Sequence, residues 1–186
     1  MSCRWNCLVP ERKFKNAACV ACFIAFLGIL PAYAFVEQIE NYVPAAEKVG
    51  EGRLTYLFWD VYDAELYAPN GTWREDGPYA LRISYLMNLD SKTIADHSAL
   101  EIREQGIADE ARLAAWHEQM RKIFPDVGEG ISLTGVNTGT GEVVFYKNDV
   151  EIGRIKDAEF SRAFFDIWLN EKTSEPDLRR KLLGAL

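Results

Sequence analysis

Arg53 is the residue whose type and setting best suit recognition of an anion. It begins an aromatic-rich stretch, RLTYLFWDVYDAELY, that has the composition of a strand. A guanidinium can form two parallel hydrogen bonds with a carboxylate, and a buried one needs such a partner because an unpaired buried charge is costly. The pattern therefore indicates a pocket for an apolar molecule with one anionic end. An exposed arginine paired with Glu51 or Asp60 is the alternative.

The other reactive side chains form no motif of catalysis or metal binding. His97 and His117 lie on separate predicted helices without H-x-x-x-H spacing, and no serine stands in a G-x-S-x-G motif. Glu101, Glu104 and Glu110 fit a solvated helix face. We therefore predict no catalytic residue, no metal site and no cofactor.

Residues 1–34 are predicted to be a signal peptide. Four basic residues precede the uncharged apolar run Ala17–Leu30, and Ala32-Tyr33-Ala34 has the A-x-A form of a cleavage site. The run of 14 residues is shorter than the ~20 residues that span a bilayer. Cleavage after Ala34 makes 35–186 the mature domain and predicts a secreted, periplasmic protein without a stable membrane anchor. An uncleaved anchor is the alternative.

Charge and cysteine content narrow the classes of partner. The signal peptide holds four of the 21 basic residues and one of the 28 acidic ones, which leaves 17 against 27 and a net charge of −10 in the mature chain. Nucleic acid is therefore not an expected partner, because it selects basic surfaces. All four cysteines lie in the signal peptide, so the mature chain has no disulfide or thiolate.

The elements that would position these side chains alternate between strand and helix patterns. We predict strands over Phe35–Val43, Arg53–Tyr67 (one bent strand, or two that meet near Asp63), Tyr79–Met87, Ile131–Val136, Glu142–Tyr146 and Glu151–Ile155. We predict helices over Ser91–Gln105, over Asp109–Phe124, from the cap Asp157 to Leu169, and from a capping box at Ser174 and Asp177 to Leu183. This order favours an α+β fold in which helices cover one face of an antiparallel sheet and leave room for a ligand between the layers.

This ordered set of features resembles the chalcone isomerase-like family from about Gly50 to Gly184. The landmarks are Gly52-Arg53, Val61-Tyr62, the strand Leu81–Tyr85, Phe124-Pro125, Val144–Tyr146 and Trp168-Leu169. The resemblance implies an open-faced β-sandwich whose antiparallel sheet is covered on one face by helices. The chain resembles the bacterial exported branch of the family more than the plant enzymes.

The resemblance also implies which residues bind a ligand. In the non-catalytic fatty-acid-binding members, an arginine and a tyrosine on the same strand hold the carboxylate, and these correspond here to Arg53 and Tyr62. Tyr85, on the next predicted strand, is a further candidate ligand contact.

The residues that accompany the arginine in the plant enzymes are replaced in this chain. A tyrosine, an asparagine and a hydroxyl residue correspond to Ile94, Glu101 and Ile167. The resemblance therefore implies a protein that does not cyclise chalcones.

We predict a secreted, non-catalytic binding protein for a small amphipathic anion such as a fatty acid. Two alternatives stay open. One is an isomerase or lyase of the chalcone isomerase type that acts on another substrate, and the other is a protein-interaction module with a vestigial pocket.

Overall fold

Six strands within the described residues form one antiparallel sheet in sequence order. The computed structural model describes residues 35–185 except 37 and 108, so the predicted signal peptide lies outside the described residues. The strands are β1 (Ala46–Tyr56), β2 (Trp59–Pro69), β3 (Tyr79–Tyr85), β4 (Ser132–Asn137), β5 (Glu142–Lys147) and β6 (Val150–Lys156). The helices are α1 (Ser91–Glu104), α2 (Glu110–Ile123), α3 (Ala158–Leu169) and α4 (Pro176–Leu182). The predicted α+β fold is confirmed.

Alternation along the strands gives the sheet two different faces. On β3, Leu81 and Ile83 point towards the helices and join the main core, whereas Ala80 belongs to a second core on the opposite face. Side chains alternate between faces with a period of two, so a single strand contributes to both cores.

Aspartates cap the three longer helices and fix where they begin. The side chains of Asp90, Asp109 and Asp157 accept hydrogen bonds from backbone N–H groups of the first turns of α1, α2 and α3. Asp109 and Asp157 confirm the predicted helix starts, and α1 begins at the predicted Ser91 with Asp90 as its cap. A carboxylate at this position pairs otherwise unsatisfied N–H groups and suits the positive end of the helix dipole.

The first predicted strand, Phe35–Val43, is wrong. Residues 35, 36, 38 and 39 are helical and lead into a series of turns. Phe35, Ile39 and Val43 are spaced four residues apart and pack together against the second face of the sheet. A spacing of four is a helical period, and here it outweighs the loose polar–apolar alternation on which the strand prediction relied.

The predicted strand over Arg53–Tyr67 is two strands, which meet at Leu57-Phe58 and not near Asp63. Tyr56 pairs with Trp59 across this two-residue turn, and Leu57 adopts a φ of 56°. The four tip residues from Tyr56 to Trp59 are exposed, with Phe58 at 95%. The tip of the β1–β2 hairpin is therefore an apolar projection.

α4 packs closely against β1 because two glycines stand at the contact. A Cβ on Gly50 would meet the backbone carbonyls of Lys181 and Leu182, and one on Gly52 would lie 2.8 Å from Leu178 Cδ1. The predicted capping box that opens this helix is wrong, since Glu175 is the N-cap residue and makes no side-chain cap hydrogen bond. None of the helices that the structure describes is long and apolar enough to cross a membrane.

Candidate functional site

A cavity of about 650 Å³ lies between the sheet and the helices. Apolar side chains of β3, β4 and β5, such as Leu81, Leu133 and Phe145, form its floor, and Phe164 and Ile167 of α3 contribute to its roof. Binding sites for small molecules typically measure ~300–1,000 Å³ and are mostly apolar with a few placed polar groups. The size and lining of this cavity fit that description.

Tyr62 and Tyr85 lie side by side on the cavity wall. They are cross-strand partners on β2 and β3, and their ring centroids are 6.1 Å apart in an edge-to-face arrangement. Trp168 Nε1 donates a hydrogen bond of 2.9 Å to the Tyr62 hydroxyl. Burial raises the pKa of both phenols well above its ordinary value, so both hydroxyls keep their protons and can donate.

The polar end of the cavity carries two carboxylates, Glu101 and Glu175. Glu101 is only 9% exposed and accepts a hydrogen bond of 2.9 Å from Ser174 Oγ. His97 Nε2 lies 3.6 Å from the other Glu101 carboxylate oxygen, at the solvent side of the cavity. Burial, followed by the charge of Glu101, raises the pKa of Glu175. The two carboxylates therefore share one partly desolvated region.

Arg53 does not line this cavity, which corrects its predicted position. The side chain is 48% exposed, and its Nε and Nη2 donate hydrogen bonds of 2.7 and 2.9 Å to the two carboxylate oxygens of Asp63. Its Nη1 donates to Asp60 Oδ2 at 2.8 Å. Leu54, the next residue of β1, reaches the cavity instead. The exposed, paired arginine was the alternative interpretation, and the geometry agrees with it.

The three positions that correspond to the plant residues all lie on the cavity wall. Ile94 and Glu101 reach it from α1, and Ile167 from α3. Two of these positions are apolar here and the third is a carboxylate. The cavity therefore lacks, at those positions, the hydroxyl and amide groups that the plant enzymes use.

Glu101 is the cavity residue whose burial the charge pattern of the sequence did not predict. It was expected on a solvated helix face with Glu104 and Glu110, but it is buried, whereas the other two are exposed. A signal was present, because Glu101 follows Ile94 by seven residues and therefore shares its helix face. The apolar residue on that stripe indicated an inward face.

The histidines are placed apart from one another. His97 belongs to the cavity, whereas His117 Nε2 lies 2.7 Å from Asp96 Oδ1 on the outer side of α1 and α2. Within the described residues, no three histidine, cysteine or acidic side chains are grouped so that they could hold a metal ion.

Comparison with known proteins agrees with this architecture. A model of the chalcone isomerase-like family matches residues 49–184, more than half of the chain. A protein of Haemophilus influenzae, described as an uncharacterized protein, is 27% identical over 139 residues, which cover 74% of this chain and 68% of that protein.

A solved structure shares the fold. The crystal structure of the Arabidopsis thaliana fatty-acid binding protein AtFAP1 matches with a TM-score of 0.60 and 12% sequence identity, and the match covers 76% of this chain and 88% of that chain. At this identity, the similarity concerns the fold alone.

Proposed function

The chain belongs to the chalcone isomerase-like family, and on that premise we propose that it is a non-catalytic protein that binds a small amphipathic, lipid-like molecule in the sheet–helix cavity. The observation that carries this proposal is the cavity of about 650 Å³, apolar over most of its wall and polar at one end. Such a cavity takes up an alkyl chain by removing its apolar surface from water.

The name of the Arabidopsis protein supports a lipid-like ligand and does not identify the ligand of this chain. A fatty acid stays a candidate because an acyl chain suits the apolar wall formed by residues such as Leu81, Leu133 and Phe145. Arg53 was expected to bind the carboxylate of the fatty acid, but it pairs with Asp60 and Asp63 outside the cavity.

The proposal is tested by native mass spectrometry of protein purified from its own host, followed by solvent extraction of bound molecules. We expect the protein to retain an amphipathic molecule. Replacement of Ile94, which lines the cavity, by tryptophan should expel it by filling the space. The matched control is Leu100→Trp on the same helix, at a position 43% exposed and outside this cavity. Empty wild-type protein that also fails to bind any member of a lipid panel would overturn the proposal.

A second candidate function, a protein-interaction module, is favoured by one observation. The tip of the β1–β2 hairpin exposes Tyr56, Leu57, Phe58 and Trp59, and contiguous exposed apolar residues of this kind often mark a contact surface. Phe58→Ser should then abolish capture of a partner while it leaves lipid retention unchanged. If Phe58→Ser loses neither partner capture nor lipid retention, the lipid-binding function is the better description.

We further infer that the protein acts after export, in the periplasm. The signal-peptide pattern of residues 1–34 supports this inference. Phe35 is buried in the second core, so cleavage after Ala34 would leave this core residue in the mature chain. Amino-terminal sequencing of the protein from a periplasmic extract should start at Phe35. A chain that starts at Met1 and remains with the membrane fraction would contradict this expectation.

A further inference from the structure

The charges that face the cavity are of one sign. The charged or titratable side chains on its wall, apart from the tyrosines, are Glu101, Glu175 and His97. No lysine or arginine occurs among the described residues that line it. The cation expected there, Arg53, is engaged by two aspartates elsewhere.

This distribution disfavours an anionic head group. Two like charges a few ångströms apart repel each other more strongly in a partly desolvated site than in water, because the surrounding medium screens them less. Glu175 shows this effect, since burial raises its pKa and the charge of Glu101 raises it further. A ligand carboxylate at this end would add a third negative charge.

A second, independent observation concerns Tyr85, which stands beside Tyr62 on the cavity wall. Tyr85 lies on the cavity wall and is only 6% exposed, yet among the described residues no hydrogen bond pairs its hydroxyl. The neighbouring Tyr62 hydroxyl accepts from Trp168 and still has its own proton to donate. The Tyr85 oxygen is not among the fully buried side-chain atoms that lack a partner in the described residues, so it opens into the cavity, where it can pair with a ligand atom.

From these contacts we propose that the polar end of the cavity selects an amphipathic molecule whose head group donates hydrogen bonds, an alkylammonium or an alcohol, over one that ends in a carboxylate anion. The head would donate to Glu101 and Glu175, and the tyrosine oxygens would accept from it or donate to a hydroxyl. The inference rests on the proposed lipid-binding function and specifies the class of ligand.

The test uses three probes with the same ten-carbon chain: decylammonium, 1-decanol and decanoate. At pH 8 the amine is cationic, the alcohol neutral and the alkanoate anionic. Affinity for mature wild-type protein, freed of bound lipid, would be measured by isothermal titration. We expect decylammonium to bind at least about tenfold more tightly than decanoate, with 1-decanol also ahead of decanoate, because only the alkanoate meets repulsion.

Two variants assign the effect to the carboxylates. Glu101→Gln and, as a second variant, Glu175→Gln remove one negative charge each while they preserve the shape of the side chain. Either variant should lower the affinity for decylammonium by about fivefold or more and raise the affinity for decanoate. The reason is that a carboxylate attracts the cationic probe and repels the anionic one. The matched control is Glu104→Gln, an exposed glutamate of the same helix outside the cavity, which should change neither affinity.

The outcomes separate the two proposals. Decanoate as the tightest of the three probes would overturn the head-group inference and leave the lipid-binding function intact. Folded wild-type protein that binds none of the probes and carries no host lipid would overturn both. An unchanged ratio of decylammonium affinity to decanoate affinity in both cavity variants would also overturn the inference, because the preference would then not come from Glu101 or Glu175.

Discussion

At the residue scale, two tyrosine hydroxyls face one cavity but differ in their hydrogen bonds. Tyr62 accepts a hydrogen bond from Trp168 Nε1 at 2.9 Å, whereas the Tyr85 hydroxyl has no such partner within the described part of the chain. A paired hydroxyl contributes to stability, whereas one that faces the cavity without a protein partner is available to a ligand. We therefore expect the Tyr62 hydroxyl to contribute to stability and the Tyr85 hydroxyl to contribute to ligand binding.

Replacement of each tyrosine by phenylalanine should separate these roles. Tyr62→Phe leaves Trp168 Nε1 without its acceptor and should lower the free energy of unfolding by about 1 kcal/mol. Tyr85→Phe removes an unpaired group and should leave the ligand-free protein equally or more stable, yet weaken ligand binding. Urea unfolding with and without ligand measures both effects. Equal loss of stability in the two variants would contradict this assignment.

Arg53→Ala should leave ligand affinity unchanged. The side chain is 48% exposed and bound by Asp60 and Asp63 outside the cavity, so its removal changes no group that faces the ligand. Titration of the variant with an alkyl ligand checks this expectation. A large loss of affinity, together with an intact circular dichroism spectrum, would restore Arg53 as an anchor.

At the element scale, the approach of α4 to β1 brings the polar end of the cavity together. The segment before α4 carries Ser174 and Glu175, and Ser174 reaches Glu101 of α1. Gly50 permits this approach, because a Cβ there would lie 2.6 Å from the Leu182 carbonyl oxygen. Two backbones can come this close only where no side chain separates them.

Gly50→Ala should therefore displace α4 and lower the free energy of unfolding by about 1–3 kcal/mol, as overpacking of a buried contact does. Thermal unfolding measures the loss. Gly77→Ala is the control, because a Cβ there would meet only ordinary contacts at 3.5 Å with Arg74. Equal stability of the two variants would show that α4 adjusts its position without cost.

At the scale of the whole molecule, the sheet is covered on both faces by different parts of the chain. The helices cover the face with the cavity, and the segment around Phe35, Ile39 and Val43 covers part of the other. The Phe35 ring packs edge-on against Tyr67 at 5.0 Å, and the Arg82 guanidinium lies 4.5 Å from its centroid. The segment therefore shields a second, smaller core from water.

A mature chain shortened to start at Pro44 should expose this second core. Tyr67, Val136 and Val144 would lose their cover, so we expect a lower melting temperature and binding of a hydrophobic dye. The chain that starts at Phe35 is the control. Equal melting temperatures and dye binding in the two chains would show that the segment adds nothing to stability.

Regular elements with strong local signals were predictable, and irregular ones were not. The caps Asp109 and Asp157 and the two central helices α1 and α2 follow from local preferences of the backbone. The hairpin turn at Leu57-Phe58 has no glycine, asparagine or aspartate, so its sequence gives no turn signal. The strand prediction over Phe35–Val43 failed because nine residues carry too little periodicity to decide between the two patterns.

The sequence by itself determined the α+β class and the order of elements from Tyr79 onward, since these depend on composition, periodicity and turn residues along the chain. It also carries the match to the chalcone isomerase-like family. Tertiary structure alone decided which groups meet in the cavity. Arg53 and Leu54 are neighbours on β1 but face opposite sides, because side chains alternate and a shift of one residue in register exchanges the faces. Glu101 became part of the cavity because α1 packs over the sheet, and the stripe that it shares with Ile94 indicates an inward face but not what that face meets. The charge of the site therefore followed from strand register and helix packing.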